Sequence, residues 1–261
     1  MNVKLLDSSK EKMELRIGES SPAYVNALRR YMAFEVPTMA IEDVEFRSNN
    51  SILYDEMVGH RLGLVPLKTD LKSYNLKNEC KCKGAGCAQC ELKLTLKGSG
   101  PKMIYSSDLK SKDPKIKPVY PQIPIVKLLD GQDIAFEAIA VLGTGKEHAK
   151  WSPGLIYYRH VPTVKINKQP ANSEEVVSRC PRNCFEVKAK KLSVKDNDAC
   201  ILCNDCVEFT NGDIEVGTAN DFFMTVESWG QLSPSDIMIK GVEVFNAQLT
   251  DFKKLLADVK E

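Results

Sequence analysis

Residues 19–30 read Glu19-Ser20-Ser21-Pro22-Ala23-Tyr24-Val25-Asn26-Ala27-Leu28-Arg29-Arg30. A serine hydroxyl accepts a hydrogen bond from the free N–H groups of a helix's first turn, which makes Ser20 and Ser21 candidate caps. Pro22 suits that first turn, where its missing N–H costs nothing. Ala23, Ala27, Leu28 and Tyr31 recur at helical spacing and define an apolar face. The helix must end before Val36-Pro37, because a residue preceding proline is pushed out of the α region. A strand-like run follows at Thr38 to Phe46. On periodicity alone this is a short amphipathic core helix leading into a strand.

The rest of the chain limits what that helix can serve. At 261 residues the chain can bury one large core or two to three smaller ones. Lys+Arg is 36 and Asp+Glu is 35, a net charge of +1, so the basic surplus of a nucleic-acid binder is missing. The mixed run Lys110 to Lys117 reads as a solvated loop. No apolar run reaches the length of a membrane span, and the N-terminus lacks a signal-peptide pattern; both predict a soluble cytoplasmic protein. The cysteines form two blocks, four within Cys80 to Cys90 and five within Cys180 to Cys206. In a cytoplasmic chain such blocks point to metal sites before disulfides.

The first block, Cys80-Lys81-Cys82-Lys83-Gly84-Ala85-Gly86-Cys87-Ala88-Gln89-Cys90, has the spacing C-x-C-x4-C-x2-C. Glycines between the pairs let a tight loop fold back so that four thiolates converge. Zinc suits such a site, being soft enough for sulfur and redox-inert. Paired disulfides are the alternative use of Cys80, Cys82, Cys87 and Cys90.

The second block contains Cys200-Ile201-Leu202-Cys203-Asn204-Asp205-Cys206, with Cys180-Pro181 upstream. It resembles a bacterial-type ferredoxin. There, C-x2-C-x2-C supplies three ligands to one cluster, and a cysteine before proline supplies the fourth from elsewhere. Cys200, Cys203, Cys206 and Cys180 are then the ligands of one iron–sulfur cluster. The exchange position after Cys206 is Thr210, so a second cluster has no ligands. Cys184 is either a spare thiol or a partner for Cys180; the second case leaves three ligands and a [3Fe-4S] rather than a [4Fe-4S] cluster. A zinc site on the same four cysteines fits poorly, since zinc pairs normally come from separate knuckles. A segment of about 45 residues builds little core, so a cluster would act as its staple.

Between and around these blocks, Val3 to Ile17 reads as strand, turn, strand, and Asp55 to Leu62 as a short helix. Leu92 to Leu96 and Asp133 to Val141 read as strands, separated by a proline-rich irregular loop with an edge segment from Tyr105 to Pro124. Gly143-Thr144-Gly145-Lys146 fails the phosphate-loop pattern, because Ala140 and Glu147 stand where a glycine and a Ser or Thr are required. His60 reads as a histidine at a helix end and His148 as a hydrogen-bonded loop residue, not as catalytic or ligating groups. Asp221 to Trp229 reads as a strand. Ser233-Pro234-Ser235-Asp236 opens a long C-terminal helix whose stripe is Ile237, Val244, Phe245, Leu249, Phe252, Leu256 and Val259. Nothing follows to cover that stripe, which predicts a partner. Gly241 is expected to let a partner helix approach.

Taken together, Ser21 to Arg30, Val36-Pro37-Thr38-Met39-Ala40-Ile41-Glu42, Leu53 to Leu67 and Gly143 to Pro153 resemble the assembly subunits of multisubunit RNA polymerases. That family includes bacterial alpha, the eukaryotic third-largest subunit and its archaeal D-type counterpart, and the cluster motif points to the last branch. The resemblance implies an α+β fold: a discontinuous alpha-type dimerisation domain (1–42 and 222–261), a β-rich insert domain (43–168 and 216–221) and a ferredoxin-like iron–sulfur domain (169–215). It implies structural zinc at Cys80 to Cys90, as in eukaryotic relatives. It also implies pairing with the smaller subunit L through Phe245, Leu249, Phe252 and Leu256, contact of Arg29 and Arg30 with a large subunit, and docking of the second-largest subunit and the small zinc-binding subunits N and P. The Gly143 to Pro153 run is implied to be a rigid loop used between subunits. Nucleotidyl transfer would belong to the complex: this chain has no aspartate triplet for catalytic Mg2+, no catalytic residues, and no catalytic contact with nucleic acid. The competing class, an iron–sulfur electron carrier or redox enzyme subunit, requires a second cluster or a flavin or nucleotide site. A free-standing zinc and iron–sulfur scaffold is the third reading.

Overall fold

The computed structural model describes residues 1–259. In chain order the elements are β1 (Asn2–Ser8), β2 (Lys12–Gly18), α1 (Pro22–Phe34), β3 (Thr38–Asn49), α2 (Asp55–Gly63), β4 (Leu92–Ser99), β5 (Lys102–Tyr105), β6 (Lys110–Ser111), β7 (Pro124–Leu128), β8 (Asp133–Gly143), β9 (Gly154–Ile166), α3 (Ser173–Arg179), β10 (Phe185–Lys188), β11 (Lys191–Val194), α4 (Asp205–Phe209), β12 (Ile214–Ser228) and α5 (Pro234–Asp258). The chain divides into two compact units. One comprises residues 1–6, 14–26 and 157–225; the other comprises 7–13, 27–156 and 226 onward.

The first unit is built on a four-stranded sheet in the order β1-β2-β12-β9. Leu15 and Ile17 of β2 and Phe222 and Met224 of β12 are buried. The Arg16 guanidinium donates to Asp221 at 2.8 Å, and the His160 ring lies 4.6 Å from that of Phe222. β9 was not anticipated as a strand. Its Pro162 cannot donate to a ladder, which argues against a central strand; β9 is an edge, where proline is tolerated. β12 likewise begins at Ile214 rather than Asp221. The cysteine-bearing part of this unit contains α3, α4 and the β10–β11 hairpin, paired from Phe185↔Val194 to Lys188↔Lys191. Its small core gathers Val176, Phe185, Leu192 and Ile214 around Cys184 and Cys200.

The second unit carries an antiparallel sheet in the order β3-β8-β4-β6. The long β3–β8 pairing runs from Thr38↔Gly143 to Asn49↔Ile134, with register shifts after Ile41 and after Phe46. β4 alternates as its sequence demands: Leu92, Leu94 and Leu96 are buried while Lys93 and Lys97 are exposed. α2 buries Val58 and Leu62 in the same core, which also holds Ile104, Ile116 and Leu128. The paired β5 and β7 contribute Ile104, Val126 and Leu128 to that core. The proline-rich stretch is irregular with an edge segment, β6, as expected, and adds one 3-10 turn at Ser106–Asp108.

α1 and α5 form where their caps predict. Ser21 Oγ accepts from the Tyr24 N–H at 3.3 Å, and Ser233 Oγ accepts from the Asp236 N–H at 3.1 Å. The face assigned to α1 needs correction. Ala23 is exposed and Ala27 and Tyr31 are half-buried, while the buried positions are Val25, Leu28, Met32 and Ala33; the first three are again spaced by three and four. The larger side chains take the interior because they remove more apolar area from water.

Candidate metal centres and docking helix

The loop from Cys80 to Cys90 reverses on three left-handed residues, Lys83 (φ 52), Gly84 (φ 84) and Gly86 (φ 87). Two of these are glycines, which adopt that conformation without strain. The four sulfurs then meet. Cys80 Sγ is 3.5 Å from Cys87 Sγ, Cys82 Sγ is 3.5 Å from Cys90 Sγ, and Cys90 Sγ is 3.8 Å from Cys87 Sγ. All four lie within 4.8 Å of one another. A tetrahedral ion with metal–sulfur bonds near 2.3 Å sets sulfur–sulfur edges of about 3.8 Å, so the donor set fits a metal ion. All four are free thiols here. Hydrogen bonds from Cys80 and Cys90 hold the Cys82 thiol down at about 6, while burial pushes Cys90 up to about 12. The Cys87 N–H donates to Cys90 Sγ at 3.3 Å.

The second block is arranged differently. Cys180, Cys184, Cys200, Cys203 and Cys206 line one pocket. Cys184 and Cys200 are buried, Cys180 and Cys206 half-buried, and Cys203 exposed. The chain between the last three alternates in hand: Leu202 (φ 60) and Asn204 (φ 62) are both left-handed. A leucine in that region is a genuine outlier, and such strain persists where the surroundings over-determine it. Backbone donors point at sulfur, with Leu202 N–H 3.5 Å from Cys200 Sγ and Cys184 N–H 3.4 Å from Cys180 Sγ. Thiolates in a cluster accept such bonds. Burial pushes the Cys184 thiol up to about 12, and burial followed by the neighbouring thiols raises Cys206. Cys184 therefore shares the pocket with the four candidate ligands, beside Cys180, the partner its position after Cys-Pro offers as one of two alternatives.

The third feature is the meeting of α1 and α5. Tyr31 packs against Phe245 with ring centroids 4.5 Å apart and the rings tilted by 44°, and its hydroxyl donates to Gln248 Oε1 at 2.7 Å. Gly241 is buried against Met32: an added Cβ would lie 2.6 Å from Met32 Cγ. The helix that Gly241 admits is thus α1 of the same chain, not a partner's. Beyond Phe245 the stripe is uncovered, with Leu249, Phe252 and Leu256 49%, 57% and 55% exposed. Leu255 is 66% exposed and belongs to the same apolar end. The i, i+3, i+4, i+7 spacing of 252, 255, 256 and 259 would have found it. Of the two arginines, Arg29 is half-buried and Arg30 exposed. Arg30 lines a hollow with Tyr31, Phe34, Gly145 and Gln248.

The run from Gly143 to Pro153 is pinned to the end of α1. The Lys146 N–H donates to the Phe34 carbonyl at 3.0 Å, and Ser152 Oγ donates to the Ala33 carbonyl at 3.2 Å. Trp151 Nε1 donates to Val141 O at 3.3 Å, while Thr38 Oγ1 donates to Trp151 O at 2.6 Å. His148 Nδ1 accepts from the Lys150 N–H at 3.0 Å, a loop-closing role. His60 sits exposed in the last turn of α2.

A family model described as the RNA polymerase Rpb3/RpoA insert domain matches residues 44–157. The chain is 36% identical over 99% of its length to the DNA-directed RNA polymerase subunit Rpo3 of Archaeoglobus fulgidus, 98% of which is covered. It is 37% identical to the Rpo3 subunit of Methanosarcina mazei, with 98% of each chain covered. It is 35% identical to the DNA-directed RNA polymerase II subunit rpb3 of Dictyostelium discoideum, over 98% of this chain and 95% of that one. Among the described residues, no helix is long and apolar enough to cross a membrane.

Proposed function

Since the chain belongs to the Rpo3/Rpb3 family of DNA-directed RNA polymerase subunits, we propose that it is the assembly platform of that enzyme, acting in DNA-templated transcription in the cytoplasm without catalytic residues of its own. It pairs with subunit L and docks the second-largest subunit and the small zinc-binding subunits N and P. The observation that carries this reading is the uncovered end of α5. Leu249, Phe252, Leu255 and Leu256 expose a contiguous apolar face on a helix whose first half is anchored to α1. An exposed face of that kind marks a protein–protein site.

The contact between α1 and α5, far apart in sequence, supports one discontinuous dimerisation domain at 1–42 and 222–261, with an insert domain at 43–168 and 216–221 and a cluster domain at 169–215. Cys80, Cys82, Cys87 and Cys90 hold one zinc ion, supported by the tetrahedral spacing of their sulfurs. Cys180, Cys200, Cys203 and Cys206 hold one iron–sulfur cluster, [4Fe-4S] or [3Fe-4S], supported by the shared pocket and the left-handed loop around it. Both groups clamp segments with little core of their own. Arg29 and Arg30, at the end of α1, face a large polymerase subunit.

Co-expression with subunit L followed by size-exclusion chromatography tests the platform. The wild type elutes as a heterodimer, and Phe252→Asp with Leu249→Asp elutes as free chains. Undiminished pairing of that double variant would sink the proposed surface.

A further inference from the structure

The cluster segment poses a mechanical problem. Its ligands come from two places, Cys180 at the end of α3 and Cys206 inside α4, and α4 has only five residues. A helix that short does not hold itself. Its N-cap Asn204 makes no side-chain cap bond. Something must fix α4 against the end of α3.

One side chain spans that gap. Arg179, the last residue of α3, immediately precedes Cys180. Its guanidinium carbon lies 4.2 Å from the ring centroid of Phe209, the last residue of α4. Nη1 is 3.9 Å from Asp205 Oδ1, immediately before Cys206. Nη2 is 3.3 Å from Glu175 Oε1, one turn back on α3. A planar cation can stack on a ring and reach two carboxylates at once, which a lysine cannot. We infer that Arg179 is the positioning residue of the iron–sulfur site, locking the chain on either side of Cys180 and Cys206 at the separation a cluster requires. It acts through Asp205 and Phe209, which flank Cys206, and through its own place before Cys180. This rests on the reading of those cysteines as cluster ligands.

The test uses the full chain purified anaerobically, with iron and sulfide counted before anything else. Wild type without iron or sulfide overturns the cluster itself. Given a loaded wild type, cluster loss is followed by visible absorbance after adding a chelator in air, for wild type, Arg179→Gln, Arg179→Lys and Phe209→Leu. Arg179→Gln is expected to lose its cluster about fivefold faster, the factor a partly exposed cation–π contact is worth. Phe209→Leu should match it, and the pair together should be no worse than either alone. Arg179→Lys, which keeps the charge but not the stacked plane, should fall between, with the wild-type electron paramagnetic resonance line shape retained. A general loss of stability would show no such coupling or partial rescue. If Arg179→Gln does not fold, Phe209→Leu reads the same contact from the other side. Loss rates of both variants within twofold of wild type overturn the inference.

Discussion

Gly145→Ala is a one-carbon test of how the Gly143 to Pro153 run is held. A Cβ at residue 145 would lie 2.5 Å from the Ala33 carbonyl oxygen and 3.2 Å from Phe34 Cα, against an ordinary contact of 3.4 Å or more. The cost is spatial, not conformational, because the backbone there is not left-handed. The loop must retreat from α1 by about 1 Å, given the contact distances normal for non-bonded atoms. That retreat stretches the Lys146 N–H bond to Phe34 O, now 3.0 Å, and the Ser152 Oγ bond to Ala33 O, now 3.2 Å, beyond hydrogen-bonding range. Each lost bond is worth about 0.5–1.5 kcal/mol. Against this, alanine lowers the entropy of the unfolded chain and returns about 0.4–1 kcal/mol. The net expectation is a destabilisation of about 1–2 kcal/mol. The assay is urea unfolding in a Trp229→Phe background, so that emission reports Trp151, a residue of this run whose indole donates to Val141 O of β8 and whose carbonyl accepts from Thr38 Oγ1 of β3. A lower midpoint and red-shifted native emission are expected. A midpoint equal to or above that of the parent would refute the claim that this loop is pinned by close approach to α1.

Three further outcomes follow from the same structure. Asp70→Asn should destabilise the second unit at neutral pH. Asp70 accepts from Ser73 Oγ and the Lys72 N–H and lies 3.2 Å from Lys115 Nζ, which lowers its carboxyl from 3.8 to about 2. A depressed folded-state pKa contributes stability that is complete above the unfolded value and is lost as the carboxylate protonates. The deficit of the variant should thus shrink between about pH 4 and pH 2, and a deficit independent of pH would contradict that cause. Cys82→Ser should abolish zinc binding, read by elemental analysis, and speed amide exchange across 74–91 while β4 and β8 stay protected by their own core; retained zinc would show that Cys82 is not a ligand. Arg30→Glu should weaken docking of the second-largest subunit without affecting the pairing with subunit L; unchanged docking would remove Arg30 from that interface.

Legibility depended on whether an element carried its own signal. Both capped helices were readable because a serine, a proline and an apolar stripe lie within a few residues, and the same holds for β4, whose Leu-Lys-Leu-Thr-Leu alternation is local. β9 was not readable. Its thirteen residues hold Pro162 and a mixed burial pattern, and only an edge position makes that sequence a strand. The face of α1 differs from its sequence reading at Ala23, for a related reason. Ala23 and Val25 both satisfy helical spacing, and only the neighbouring layer decides which one is buried. Gly241 in sequence suggests room for a partner helix; the close approach is present, but its occupant is Met32 of α1.

The cysteine spacings alone established two sulfur-rich sites, because ligand chemistry is written in residue type and interval. The sequence also carried the caps, the unmatched apolar stripe of α5 and the resemblance to polymerase assembly subunits. Which sulfurs meet required the fold. The left-handed turns at Lys83, Gly84 and Gly86 close one set to single-ion spacing, whereas those at Leu202 and Asn204 line a pocket that also admits Cys184. Tertiary structure likewise decided how much of the α5 stripe is spent within the chain. Phe245 is covered by Tyr31, while Leu249 and the residues after it remain open. A stripe in sequence records only that burial is wanted; whether the same chain supplies the cover depends on how far α1 reaches along α5.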